Sequence, residues 1–260
     1  MQLVEPLLEI PEDTASGVTA EIYEDIRRTL ALRNVNLIYR HFATLEQALP
    51  AVWLLVRPYF IDKKISAAAT KIKPLLSTNI DAAAFPGEFP YDEKLKDQVA
   101  NVLDFYLSAN PMNLIALEIL TIALESAGED LSSNTGLLPI GELESRVEST
   151  KFVSENEGNM FLVSQGMSQV RPTLLRQLEE WPQFLAAVSP LIKRMCLSDS
   201  LFSLVENIRN NAKESAVDIF TRGEVSMPES SLKSVANFCG YFPKILIRMT
   251  IIAAALRRSL

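Results

Sequence analysis

Val35–Phe60, VNLIYRHFATLEQALPAVWLLVRPYF, decides how the chain is organised, because a degenerate copy of it returns as Arg171–Cys196, RPTLLRQLEEWPQFLAAVSPLIKRMC. In register, Arg40 falls on Arg176, Leu49 on Leu185, Ala51 on Ala187, Val52 on Val188 and Leu55 on Leu191, each partner 136 positions later. The same offset carries Val99-Ala100-Asn101 onto Val235-Ala236-Asn237, and an offset of 132 carries Pro111-Met-Asn-Leu-Ile onto Pro243-Lys-Ile-Leu-Ile. One register kept for so long marks a duplication. A duplicated chain is expected to put its ligand pocket between the halves.

Composition narrows the fold class. Of 260 residues, 48% are hydrophobic and only 9 are glycine, and no alternating strand pattern is flanked by Asn-Gly or Asp-Gly turns. An all-α protein is expected, with an N-terminal arm at 1–18, a first helical repeat at 19–127, a linker at 128–150 and a second repeat at 151–260. The two repeats are expected to be related by a pseudo-twofold and to share one core.

A net charge of −7 argues against a nucleic-acid or anionic-membrane partner, which would need clustered Lys and Arg. The two cysteines, Cys196 and Cys239, stand apart among apolar neighbours, without the spacing of a zinc site. No metal and no cofactor is therefore expected. MQLVEPLLEIPEDT lacks the basic flank and apolar run of a leader, and Ile245–Leu256 is short and interrupted by Arg248. These features read as a cytoplasmic protein with a small-molecule ligand and no membrane partner. They leave its oligomeric state open.

Local signals place the elements. A first helix is expected from Thr19, with Ile22, Tyr23, Ile26 and Leu30 on one face. A helix over Leu37–Gln47 and one opened by Pro50 over Ala51–Phe60 follow, then Asp62–Leu76, a Pro/Gly loop over Ser77–Pro90, and Tyr91–Ser108. Pro111–Ala127 is apolar nearly all round and should be central. In the second half, Ser154–Gln165, Thr173–Glu180, Pro182–Met195, Leu201–Arg222 and Leu232–Leu260 are expected to be helical. Pro243 should break the last of these.

Few residues in this pattern could carry chemistry. His41 is the single histidine, which excludes a multi-histidine metal site but leaves a general base or a hydrogen-bonded structural group. Glu118 lies within PMNLIALEILTIAL, where an ionised carboxylate needs a partner or a raised pKa; it is either a catalytic acid or half of an ion pair. Arg40 and Arg176 could together grip a ligand carboxylate, or each could tie its own half together through a glutamate or a helix C-terminus. Asn101 and Asn237 are buried struts or ligand donors. The ligand-binding set on this reading is Asn36, Ile38, Tyr39, Arg40 and His41 from the first repeat, with Thr173, Leu174, Arg176 and Gln177 from the second, and the two asparagines.

VNLIYRHFATLEQALPAVWLLVRP, preceded by AEIYEDIRRTL, resembles the group I 2-haloacid dehalogenases, closely over residues 19–60 and diffusely elsewhere. The resemblance implies two helical repeats about a pseudo-twofold with the active site between them, and cofactor-free hydrolysis of a carbon–halogen bond. It also implies an aspartate seven residues before a Trp-Pro step, activating the attacking water. Trp181-Pro182 supplies the step, and the aspartate's position falls on Leu174. Leucine cannot take a proton from water. The expectation is therefore the fold with a changed activity, toward a small, largely apolar ligand, with or without a carboxylate. The alternatives are a hydrolase using Glu118 or His41 as substitute base, or a non-enzymatic partner-binding protein.

Overall fold

A computed structural model of the chain describes residues 7–78, 93–131, 173–196, 199–221 and 223–260. The linker over 132–150, the helix expected at 154–165 and most of the loop at 77–90 lie outside the described residues. The described elements are helices: α1 (Gly17–Leu30), α2 (Leu37–Phe42), α3 (Ala48–Ile61), α4 (Lys64–Thr78), α5 (Glu93–Leu131), α6 (Thr173–Leu178), α7 (Pro182–Cys196), α8 (Asp199–Ile219) and α9 (Glu229–Ser259). No strand occurs among the described residues, so the all-α class holds. The starts of α2 to α5 at residues 37, 48, 64 and 93 recur as those of α6 to α9 at 173, 182, 199 and 229.

Proline explains where the expected helices were redrawn. The helix expected over Leu37–Gln47 stops at Phe42, because carrying it through to Pro50 would drive the ring into the carbonyl of Glu46. The chain turns instead, and Gln47, in the left-handed region at φ 58°, starts α3 with Pro50 in its first turn. Pro111 and Pro243 act otherwise. Each was expected to interrupt a helix, and each lies inside one continuous helix, α5 or α9. An internal proline costs about 3 kcal/mol, but a buried large apolar side chain returns about 1.5–3 kcal/mol. Leu114, Ile115, Leu117, Ile119 and Leu120 follow Pro111, and Ile245, Leu246, Ile247 and Met249 follow Pro243; all are buried. Packing on both flanks outweighs the break. α5 also runs to Leu131, into the expected linker.

α5 and α9 pack on each other along the centre, with α4 and α8 beside them. Both are long and apolar enough to cross a membrane by length and composition, α9 despite Arg248, contrary to the expectation for Ile245–Leu256. Of the most apolar window, 78% in α5 and 89% in α9 is buried inside the protein. α1 starts at Gly17, two residues ahead of the expected Thr19. It lies against α3, where Asp25 accepts hydrogen bonds from Trp53 Nε1 at 2.8 Å and from Arg57. These bonds hold α1 against α3, on which α2 also packs.

Candidate functional site

LIYRHF and TLLRQL fold into two short helices, α2 and α6, in which an arginine takes the fourth position of each. Residues ahead of each arginine point inward: Leu37 and Ile38 of α2, Leu174 and Leu175 of α6 are all buried. Between the two helices and the sides of α5 and α9 lies a small space of about 30 Å³, lined by Asn36, Leu37, Ile38, Tyr106, Asn110, Thr173, Leu174, Phe242, Ile245, Leu246 and Met249. That is room for about one water. Ile38 and Leu174, register partners, are 3% and 1% exposed.

A larger cavity of about 260 Å³ continues from it, lined by Glu12, Asn34, Val35, Asn36, Leu37, Arg40, Phe105, Tyr106, Thr173 and Gln177. Asn36, Leu37, Tyr106 and Thr173 line both spaces. Their combined wall is apolar at the deep end and polar toward the N-terminal arm. Burial raises the Tyr106 phenol's pKa, with Arg40 and Arg176 pulling the other way, so the hydroxyl stays protonated at neutral pH. Glu12 is the one carboxylate in the described lining, and its oxygens are engaged: Oε1 accepts the Val35 N–H at 2.7 Å and Oε2 pairs with Arg27.

The arm crosses this opening. The Ile10 N–H donates to the Arg40 carbonyl at 3.0 Å, and the Tyr23 hydroxyl, its pKa pushed up to about 12 by burial, donates to the Ile10 carbonyl at 2.9 Å. Glu9 meets both arginines. Arg176 Nη1 donates to Glu9 Oε1 at 2.7 Å, and Arg40 Nη2 lies 3.1 Å from Oε2. Of the two readings of the arginine pair, the structure has them share a glutamate rather than take one each.

The sequence-derived site residues divide accordingly. Asn36, Ile38, Arg40, Thr173, Leu174 and Gln177 line the cavities, and Arg176 joins them through Glu9. Tyr39 turns the other way: its hydroxyl donates to Asn113 Oδ1 at 3.2 Å and its ring meets Trp53 edge-on. His41 holds its Nδ1 2.8 Å from the Leu8 carbonyl and stacks on Phe238, lining neither cavity. Asn101 and Asn237 are corrections. Both are exposed, on the sides of α5 and α9 away from buried Val99, Leu103, Val235 and Phe238, and so are neither struts nor lining. Glu118 takes the second of its two readings: it is buried in an ion pair with Arg209 and lines neither space.

Asn110 and Phe242 were missed. The break expected at Pro111, and its counterpart at Pro243, hid that the residue before each proline faces the small cavity. Asn110, 2% exposed, brings the deep end its one amide from α5. No group of three His, Cys, Asp or Glu residues is arranged to hold a metal among the described residues.

Neither a family model nor a curated protein matches the sequence. Solved structures do. A D-2-haloacid dehalogenase mutant, and such a mutant in complex with D-2-CPA, each give a TM-score of 0.65 at 14% identity, over 98% of this chain and 96% of that one. The complex of D-2-haloacid dehalogenase with L-LA gives 0.59 at the same identity and coverage. The fold is that of the D-2-haloacid dehalogenases. Within the dehalogenase fold, the position to which the resemblance assigned an aspartate is Leu174, facing the small cavity beside Asn110.

Proposed function

We propose that the chain binds a small, largely apolar, carboxylate-bearing molecule in the space between α2, α5, α6 and α9, and does not hydrolyse 2-haloacids. The observation that carries this reading is Leu174: it lines the deep cavity, and the described lining there holds amides, hydroxyls and apolar groups but no carboxylate or imidazole. Without a proton acceptor, a water in that space gains no general-base assistance. The larger cavity, at about 260 Å³, lies just under the roughly 300–1,000 Å³ of ordinary small-molecule sites, which limits the occupant to a few heavy atoms. Matched helix order and matched arginines support a pseudo-twofold relation between the halves.

The test is a titration with butanamide and butanoate, followed by the methyl NMR signals of Ile38, Leu174 and Ile245. Saturable shifts with either compound are expected. If those methyls stay still while the rest of the spectrum is well dispersed, the cavity is not a ligand site.

A further inference from the structure

The arginine pair is under-satisfied by the carboxylate it holds. Glu9 lies on an extended arm, and its geometry gives one hydrogen bond, from Arg176 Nη1. Arg40 Nη2 comes within ion-pairing distance of Oε2 but is not aligned for a hydrogen bond. Arg40 Nε, Arg40 Nη2, Arg176 Nε and Glu9 Oε2 are all buried with no hydrogen-bond partner, and so is the neighbouring Asn36 Oδ1. A guanidinium presents donors in a planar fork that a carboxylate satisfies two at a time. A tethered glutamate reaching across from the arm cannot face both forks.

Charge points the same way. Among the described residues, Glu12 is matched by Arg27, leaving the single charge of Glu9 against the guanidinium groups of Arg40 and Arg176. Part-buried charge without a counter-charge is costly. Arg40 lines the larger cavity, and its unmet donors, buried while Glu9 is in place, open to a molecule there once Glu9 leaves.

We infer that Arg40 and Arg176 form the anion subsite of this cavity, that Glu9 is its built-in occupant, and that a small monocarboxylate entering the cavity exchanges with Glu9 and frees the arm. This rests on the proposed ligand-binding reading and adds the device that controls it. The incoming carboxylate takes the guanidinium donors bidentately, its apolar end faces Leu37 and Phe105, and Glu9 returns to water. With its carboxylate displaced, the arm is held only by the backbone bond from Ile10 to Arg40 and the Tyr23 bond to Ile10, and it opens more often. While the arm is latched the subsite is closed, so apparent affinity is reduced by the fraction of open molecules.

The experiment measures butanoate and butanamide binding by calorimetry on the natural chain, Glu9→Gln and Glu9→Asp. Hydrogen exchange at the Ile10 amide is followed with and without butanoate. Glu9→Gln should bind butanoate about tenfold or more tightly, the change expected where about one molecule in ten is open. Butanamide binding should not change. Glu9→Asp, which keeps the charge but is one methylene shorter, should fall between. In the natural chain butanoate should speed exchange at Ile10, and butanamide should not. Circular dichroism confirms that each variant is folded. Equal butanoate affinity in the natural chain and both variants would overturn the exchange while leaving the cavity reading standing, provided butanamide binds. Failure of both compounds in every variant would overturn both. Tighter butanoate binding by Glu9→Gln without any change in exchange at Ile10 on adding butanoate to the natural chain would overturn the release of the arm.

Discussion

Glu118 of α5 and Arg209 of α8 form an ion pair, Nε to Oε1 3.3 Å, with side chains 1% and 2% exposed. The pair joins α5 to α8 at a depth where water does not screen it. Removing one member of such a pair costs about 3–5 kcal/mol, because the other charge stays buried, whereas replacing both by apolar residues of similar volume is often close to neutral. Glu118→Gln should therefore lower the unfolding free energy by about 3–5 kcal/mol in urea titrations, and Glu118→Leu with Arg209→Met should recover most of it. Binding of butanoate to the folded Glu118→Gln protein should be unchanged. A large loss of affinity there would place Glu118 at the ligand.

His41 gives a pH dependence of defined sign. Burial lowers its pKa below the ordinary 6.5, and the hydrogen bond to the Leu8 carbonyl opposes this only in part. The folded protein thus binds the proton less readily than the unfolded chain. Its contribution to stability is complete above pH 6.5 and is lost as the pH falls through the lower, folded value. His41→Phe, which keeps a ring over Phe238, should flatten the stability curve in that interval. Urea midpoints from pH 7 down to pH 5 check it; an unchanged slope would assign the acid sensitivity to the carboxylates.

Much of this architecture could be read from the chain before any coordinates. The register of 136 matched the starts of α2 and α6, Leu37 and Thr173, while both helices end earlier than expected, at Phe42 and Leu178. The prolines misled because propensity is local: nothing near Pro111 or Pro243 reveals that each flank is sealed by the other long helix. Asn101 and Asn237 misled for a related reason. Their neighbours are apolar, but the burial of Val99 and Leu103 two positions to either side turns Asn101 outward on the same helix. Glu9 could not be found at all. Its role comes from a contact 167 residues away in sequence, and an acidic, proline-containing arm carries no periodicity to mark it.

The connection from α8 to α9 closes against α3. A methyl group on Gly223 would lie 2.2 Å from Leu55 Cδ1, and Leu55, 6% exposed, has little space to turn away. Overpacking of this kind costs about 1–3 kcal/mol. Gly223→Ala should show that loss in thermal or urea unfolding, and Leu55→Val in the same chain should relieve part of it. Additive losses in the double variant would mean that the two positions do not touch.

The natural chain should release no halide from 2-chloropropanoate of either hand above the uncatalysed background. Hydrolytic displacement at the halogen-bearing carbon needs a proton acceptor within hydrogen-bond reach of the attacking water. General-base assistance contributes about 10²–10⁴-fold, and holding the water in line adds more. Leu174 offers neither, and the deep cavity it lines has room for about one water beside Asn110. Glu118→Gln and His41→Gln should be as inactive as the natural chain, because neither side chain lines the cavity. Leu174→Asp should raise halide release by at least about 10²-fold, and only at a pH high enough to ionise a carboxyl group placed where leucine is 1% exposed. A halide electrode reads all four proteins across a range of pH. Turnover by the natural chain would show that a base outside the described lining serves the water, and loss of that turnover in Glu118→Gln or His41→Gln would name it.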